Sequence, residues 1–345
     1  MPIAADIDGA SHLTLRDLAT GALRRNIELP PNAWVESYPP AEPVWSPGSR
    51  YVAVSFSSPT APGDILLVDA ETGEDRLLTD SPSQLGDRRL AEPVAHRLPT
   101  RDGEHVPCLL YPPTCATALN GSAVLMLHGA PRTRRYASSP LVQSLAAAGH
   151  TVLVPNVRGS TGYGKRWYSL DDGPRRLGVL ADLAAIHDHL PALGVDPNRA
   201  ALWGASYGGY LTLAGCAFQP DRWAAGVDIA GISDLTSYLQ NTAPQRRALR
   251  EREYGSLEHD ADFLHAASPI TRAQDIRAPL LVVHGQRRPR PRLRSPPHRR
   301  RWYWLWYRHQ HARGPVDPRR RGPHPHPPRV LPRALTFLAT HLARH

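Results

Sequence analysis

The chain has 345 residues and a formal net charge of +10, a length that suits about two domains and a large core. No apolar run approaches the roughly 18 residues of a membrane helix, no basic flank precedes an apolar N-terminal stretch, and Cys108, Cys115 and Cys216 have neither disulfide nor metal spacing. A cytoplasmic protein is expected, without membrane partner, metal or other cofactor. The basicity is local: residues 287–330 hold 14 arginines and one acid, Asp317, for a charge of +13, which leaves −3 on the other 301 residues. A general affinity for nucleic acid is therefore not expected.

Residues 1–80 read as β-structure. The segments Leu13–Gly21 and Leu66–Gly73 each run from a strand into an Asp-x-x-Thr-Gly turn, with an offset of 52 residues. Between them, Val44–Val54 gives strand, turn and strand. This is the sequence of one to two β-propeller blades, so a truncated propeller fragment is expected, with a plain antiparallel meander as the alternative. Residues 81–91 are polar and read as a linker opening a second domain, 81–345. There, Val94–Leu98 and Val106–Tyr111 form strands around the turn Thr100–Gly103. Strands and helices then alternate: Ala123–Leu127, helix Pro140–Ala148, Thr151–Pro155, helix Leu177–Leu190, Arg199–Trp203, helix Tyr207–Phe218, Gly226–Ala230 and Pro279–Val283. Such alternation predicts an α/β domain with a mostly parallel sheet covered on both faces.

The chemistry centres on Leu202-Trp203-Gly204-Ala205-Ser206-Tyr207-Gly208-Gly209-Tyr210. A serine bracketed by glycines, between a buried strand and an apolar helix, is a nucleophile elbow. The sharp turn projects Ser206 from the sheet edge, leaves no room for side chains two residues away, and presents the Tyr207 amide to an oxyanion. A glycine-rich turn without chemistry is the alternative. His128-Gly129-Ala130-Pro131 follows an earlier strand, where a second oxyanion amide, from Gly129 or Ala130, would lie. His128 itself reads as a packed loop histidine, with a general base as the alternative. Asn156-Val157-Arg158-Gly159-Ser160-Thr161-Gly162-Tyr163-Gly164 reads as a loop on the rim of the site, with Arg158 and Tyr163 toward substrate or Arg158 in a buried ion pair.

Together these motifs resemble the prolyl oligopeptidase family of serine peptidases, its acylaminoacyl-peptidase and dipeptidyl-peptidase-like members above all. The resemblance runs from about Trp45 to Gln286 and resumes at about Leu331. It implies an α/β-hydrolase domain behind an N-terminal propeller, a Ser-Asp-His triad and short peptide substrates. Ala130 departs from the family pattern, which has a second glycine there, yet it keeps an amide.

The pattern breaks after Leu280–Gln286, where the resemblance implies an Asp and, 30 to 40 residues later, a His. Residues 287–330 instead contain 14 Arg, 10 Pro, 5 His and 3 Trp. Proline at that density continues neither helix nor strand. An out-of-frame reading explains it: with suitable codons, the shifted frame turns Arg288–Ser295 into Asp-Arg-Val-Pro-Val-Ser-Glu and Arg320–His324 into Asp-Glu-Gly-His. For the chain as it stands His324 is the stand-in base, and no acid is assignable. Leu331–Leu338 then returns to an amphipathic helix. The alternatives to a peptidase are an esterase on the same fold and a non-catalytic pseudoenzyme; single-stranded nucleic acid on the Arg/Trp segment is the weaker reading.

Overall fold

The computed structural model of the chain describes residues 2–7, 10–30, 32–35, 44–129, 139–284 and 327–343. Ala130, His324 and the Arg/Pro-rich stretch through residue 326 lie outside the described residues.

Among the described residues the body of the fold is a seven-stranded sheet in the order β15-β14-β13-β11-β12-β10-β9. Its strands are β9 (Val94–Pro99), β10 (His105–Tyr111), β11 (Ala123–Leu127), β12 (Thr151–Pro155), β13 (Ala200–Ala205), β14 (Ala225–Ile229) and β15 (Leu280–Val283). β9, β10 and β12 pair antiparallel, and the pairings from β12 through β11, β13 and β14 to β15 are parallel. All five residues of β11 and all five of β12 are buried, as strands covered on both faces must be.

The chain leaves β11 toward β12 on one side and returns past it to β13 on the other. Right-handed crossovers then require the connecting helices to lie on opposite faces. α1 (Pro140–Ala147) packs with Val124, Met126, Val152 and Trp203 on one face. α3 (Val179–His189) and α4 (Tyr207–Phe218) pack with Leu125, Leu127, Leu153 and Leu202 on the other. The expected helix over Leu177–Leu190 begins later, at Val179, because Gly173–Gly178 form a 3₁₀ turn around Pro174. α2 (Gly164–Tyr168), α5 (Leu235–Gln240), α6 (Pro244–Tyr254) and α7 (Ala261–Ala266) complete the α4 side.

The last helix, α8 (Pro327–Leu342), joins α1 on its face of the sheet. Val330, Ala334, Leu338 and Leu342 recur every four residues and are buried there. Arg199, at the entry to β13, fastens its end. The guanidinium donates to the carbonyls of Leu342 (2.7 Å), Asn120 (2.9 Å) and Ala118 (2.8 Å), placing a cation where helix carbonyls end.

Residues before β9 form two antiparallel sheets. One holds β1 (Pro2–Ile7), β2 (Ala10–Arg16) and β3 (Leu23–Ile27); the other runs β4 (Trp34–Val35), β6 (Tyr51–Ser57), β7 (Asp64–Asp69) and β8 (Asp75–Leu77), with β5 (Val44–Trp45) also on β6. Leu13, Leu15, Val52, Val54, Phe56, Leu66 and Val68 make their core. The 52-residue repeat is a repeated turn. Asp17 Oδ1 accepts from the amides of Ala19 and Thr20, and Asp69 Oδ1 from those of Glu71 and Thr72. Gly21 and Gly73 close the two turns at φ +70° and +79°. Among the described residues β1–β3 and β5–β8 each pair in chain order as antiparallel meanders, with β4 also on β6. Gln143 of α1 joins this region to the large sheet by donating to the carbonyls of Pro59 (3.0 Å) and Ala91 (3.1 Å).

Among the described residues no helix is long and apolar enough to cross a membrane, and no cluster of His, Cys, Asp and Glu could hold a metal ion.

Candidate active site

β11 and β13 are neighbours at the point where the strand order reverses, so the loops after them meet in the crevice at the sheet's C-terminal edge. Ser206 occupies that edge. It follows β13 directly and precedes α4, with φ +59° and ψ −113°, a region costly for any residue with a side chain. Its amide donates to the carbonyl of Ile229 (2.9 Å), and its carbonyl accepts from Tyr210 (3.0 Å), which locks the turn between β14 and the helix.

The bracketing glycines are explained by space. A Cβ on Gly204 would lie 2.0 Å from the carbonyl oxygen of Gly208, and one on Gly208 would lie 2.2 Å from that of Leu127. The helix start thus presses on both β13 and the end of β11. Gly129 closes the site from β11: a Cβ there would stand 2.8 Å from the Ala205 carbonyl oxygen and 3.7 Å from Ser206 Cβ. Gly129, Ser206 and Tyr207 therefore come together, while Ala130 lies outside the described residues. Tyr207 is the first residue of α4, where amides have no intrahelical acceptor.

His128 and the second motif are tied to each other. His128 is buried, and its Nε2 lies 2.8 Å from Ser160 Oγ. Ser160 donates its only hydrogen to the Val157 carbonyl (2.7 Å), so the histidine must be the donor, with the proton on Nε2. It is a loop-fastening histidine. Tyr163 is half-buried and its hydroxyl accepts from Asn156 Nδ2 at 3.2 Å.

Arg158 requires a correction. Instead of facing the rim, it is buried, with Nε and Nη2 on Asp182 Oδ1 (3.0 and 2.7 Å) and Nη1 on Asp102 Oδ2 (2.9 Å). Asp182 Oδ2 also accepts the Arg158 amide at 2.7 Å. The guanidinium is committed to holding the loop against α3 and the β9–β10 turn. Its hydrogen bond holds Asp102 down to about 2, whereas burial pushes Asp182 up to about 6 against the pull of Arg158.

Two groups escaped sequence reasoning. Asp228 pairs in register with Gly204, is buried, and its Oδ1 accepts the Gly231 amide at 2.9 Å. A Cβ on Gly209, in the first turn of α4, would lie 2.3 Å from that oxygen. Behind Tyr207 lies the buried pair Asp171 and Arg176. A single Asp in an apolar strand was the available signal for the first; nothing local marked the second.

Among the described residues Ser206 Oγ has no hydrogen-bonding partner. The described residues thus bring Ser206, Tyr207 and Gly129 together at the C-terminal edge of the sheet, and His324 lies outside them.

The strand order and the strand-to-helix turn at Ser206 are those of an α/β-hydrolase fold. Residues 136–293 match the prolyl oligopeptidase family, and the chain carries a domain of that family. It is 34% identical over 251 residues to dipeptidyl aminopeptidase BIII of Pseudoxanthomonas mexicana, covering 69% of this chain and 36% of that protein. It is 28% identical over 266 residues to dipeptidyl peptidase family member 6 of Caenorhabditis elegans, again 69% of this chain and 36% of that protein. Among solved structures, a puromycin-hydrolyzing peptidase of Mycobacterium tuberculosis superposes with a TM-score of 0.69 at 26% identity, covering 82% of this chain and 43% of that one. The chain thus spans about a third of the length of these curated relatives.

Proposed function

We propose that this chain hydrolyses short peptides or aminoacyl amides through Ser206. The observation that carries the reading is the elbow: a serine at φ +59° with glycines packed without room for a Cβ on either side and Gly129 against it. Ser206 Oγ attacks the carbonyl carbon while a histidine takes its proton. The amide of Tyr207 and one from Gly129-Ala130 receive the oxyanion, and collapse returns the proton to the leaving amine. His324 is assigned as the base, on sequence position alone, and the acid is unassigned. The peptide substrates are supported by the names of the relatives, a dipeptidyl aminopeptidase and a puromycin-hydrolyzing peptidase. A cytoplasmic location and a propeller origin for residues 1–80 belong to the same reading.

Each donor of an oxyanion site is worth about 10²–10³ in rate, so this half-site alone gives only modest turnover without a base. A second reading, a pseudoenzyme, comes from the sequence, where residues 287–330 hold a single acid, Asp317, and it is not where the resemblance implies the triad Asp. Hydrolysis of dipeptidyl- and acylaminoacyl-arylamides separates the readings when compared with p-nitrophenyl esters and with Ser206→Ala. Arylamide turnover that needs Ser206 supports the peptidase; ester turnover alone supports an esterase; neither, from folded protein, supports the pseudoenzyme.

A further inference from the structure

The side chain that follows the nucleophile is anchored far more heavily than a core tyrosine requires. Tyr207 donates its hydroxyl proton to Asp171 Oδ2 (2.8 Å) and accepts from Arg176 Nη1 (2.9 Å). Arg176 also pairs directly with Asp171 and donates to the carbonyl of Glu253, at the end of α6. Its guanidinium carbon stands 5.1 Å from the Tyr207 ring centroid and 4.5 Å from that of Tyr254. Tyr210 stacks on Tyr207 at 5.9 Å, and Tyr254 meets it edge-on at 6.3 Å. Asp171 and Arg176 have no exposed surface, and Tyr207 has 1%. Gly159 of the second motif, at φ +92°, closes over the carboxylate, since a Cβ there would lie 2.3 Å from Asp171 Oδ1.

A fully buried ion pair contributes no more to stability than apolar groups of the same shape. What it adds is direction, because it fixes the Tyr207 hydroxyl at one point. The backbone at Ser206 is strained by about 1–3 kcal/mol and persists only where its neighbours over-determine it. Tyr207 is the adjoining residue, and its amide is the oxyanion donor. Holding the ring on four sides holds its Cα and the Ser206–Tyr207 peptide plane.

We propose that Asp171 and Arg176 are positioning residues that, through the Tyr207 side chain, hold the Ser206–Tyr207 peptide in its oxyanion-binding orientation. The catalytic consequence rests on the function proposed above; the structural one does not. Asp171→Asn, Arg176→Met and Tyr207→Phe in the full chain are compared with the unsubstituted chain in two measurements. The first is amide hydrogen exchange of the segment 203–212 against that of β11. The second is the second-order rate of inactivation by a fluorophosphonate, whose phosphoryl oxygen takes the oxyanion's place, together with kcat and KM on a p-nitrophenyl ester.

Exchange in 203–212 rises in each variant while β11 stays protected. Inactivation and kcat fall by about 10²-fold, the effect of a small misplacement at a reacting centre, with KM within about twofold. Where the charge variants do not fold, Tyr207→Phe, which removes one hydroxyl, decides. Unchanged exchange in 203–212 across the folded variants overturns the proposal whatever the activity. An unreactive unsubstituted chain overturns the proposed function instead and leaves the exchange measurement to decide this inference.

Discussion

His150 makes the fold acid-sensitive by an amount that can be worked out. The ring is fully buried just before β12, with Nδ1 2.7 Å from Ser122 Oγ. Ser122 donates to the Leu119 carbonyl at 2.5 Å, so Nδ1 carries a proton. Burial, reinforced by the nearby charge of Arg199, lowers its pKa from 6.5 to about 4. The unfolded chain therefore binds more protons than the native one between those values. Stability is fully present above about pH 7 and falls as the pH drops through 6.5 toward 4. The loss is about 2 kcal/mol at pH 5 and approaches about 3 kcal/mol below pH 4. His150→Asn removes the titration and keeps a donor for Ser122. Urea unfolding of both proteins from pH 7.5 to 5 isolates the effect, because other titrating groups cancel in the difference. The stability difference shifts toward the variant by about 2 kcal/mol over that range. A difference that does not change with pH refutes the buried neutral ring.

Two further substitutions test the packing around the site. Gly208→Ala places a Cβ 2.2 Å from the Leu127 carbonyl oxygen, so the elbow shifts and reactivity at Ser206 is lost, whereas Gly48→Ala, with nothing within 4 Å of its Cβ, leaves it unchanged; probe labelling of both variants reads this. Asp182→Asn removes the carboxylate that holds Arg158 by side chain and backbone, and denaturant unfolding should show a loss of about 3–5 kcal/mol, as for other broken buried pairs.

Much of the sheet was legible because its strands are short apolar runs ended by turn residues. Ala123–Leu127, Thr151–Pro155 and the helix Tyr207–Phe218 form over the residues predicted. The elbow was legible for a steric reason: only glycine fits at positions 204 and 208, and that restriction is written in the sequence. Arg158 was ambiguous because a loop arginine reads the same whether it faces substrate or a carboxylate 24 residues away. The Asp171–Arg176–Tyr207 group was not legible. Its members belong to a loop, a 3₁₀ turn and a helix, joined across 36 residues by hydrogen bonds that leave no periodic trace. Asp228 was hidden likewise, since the register that sets it beside Gly204 comes from pairing and not from local sequence. The helix Leu331–Leu338 was visible by its apolar spacing, and α8 extends it at both ends because Arg199 and the sheet face hold it there.

The proposed function stands on Ser206 as a nucleophile held in a working elbow. Its most direct test is labelling of the purified full chain with a fluorophosphonate probe, with mass spectrometry to locate the adduct and Ser206→Ala as the comparison. One adduct, on Ser206 and abolished by the substitution, is the expected result. An unlabelled but folded chain, or labelling that survives Ser206→Ala, contradicts it.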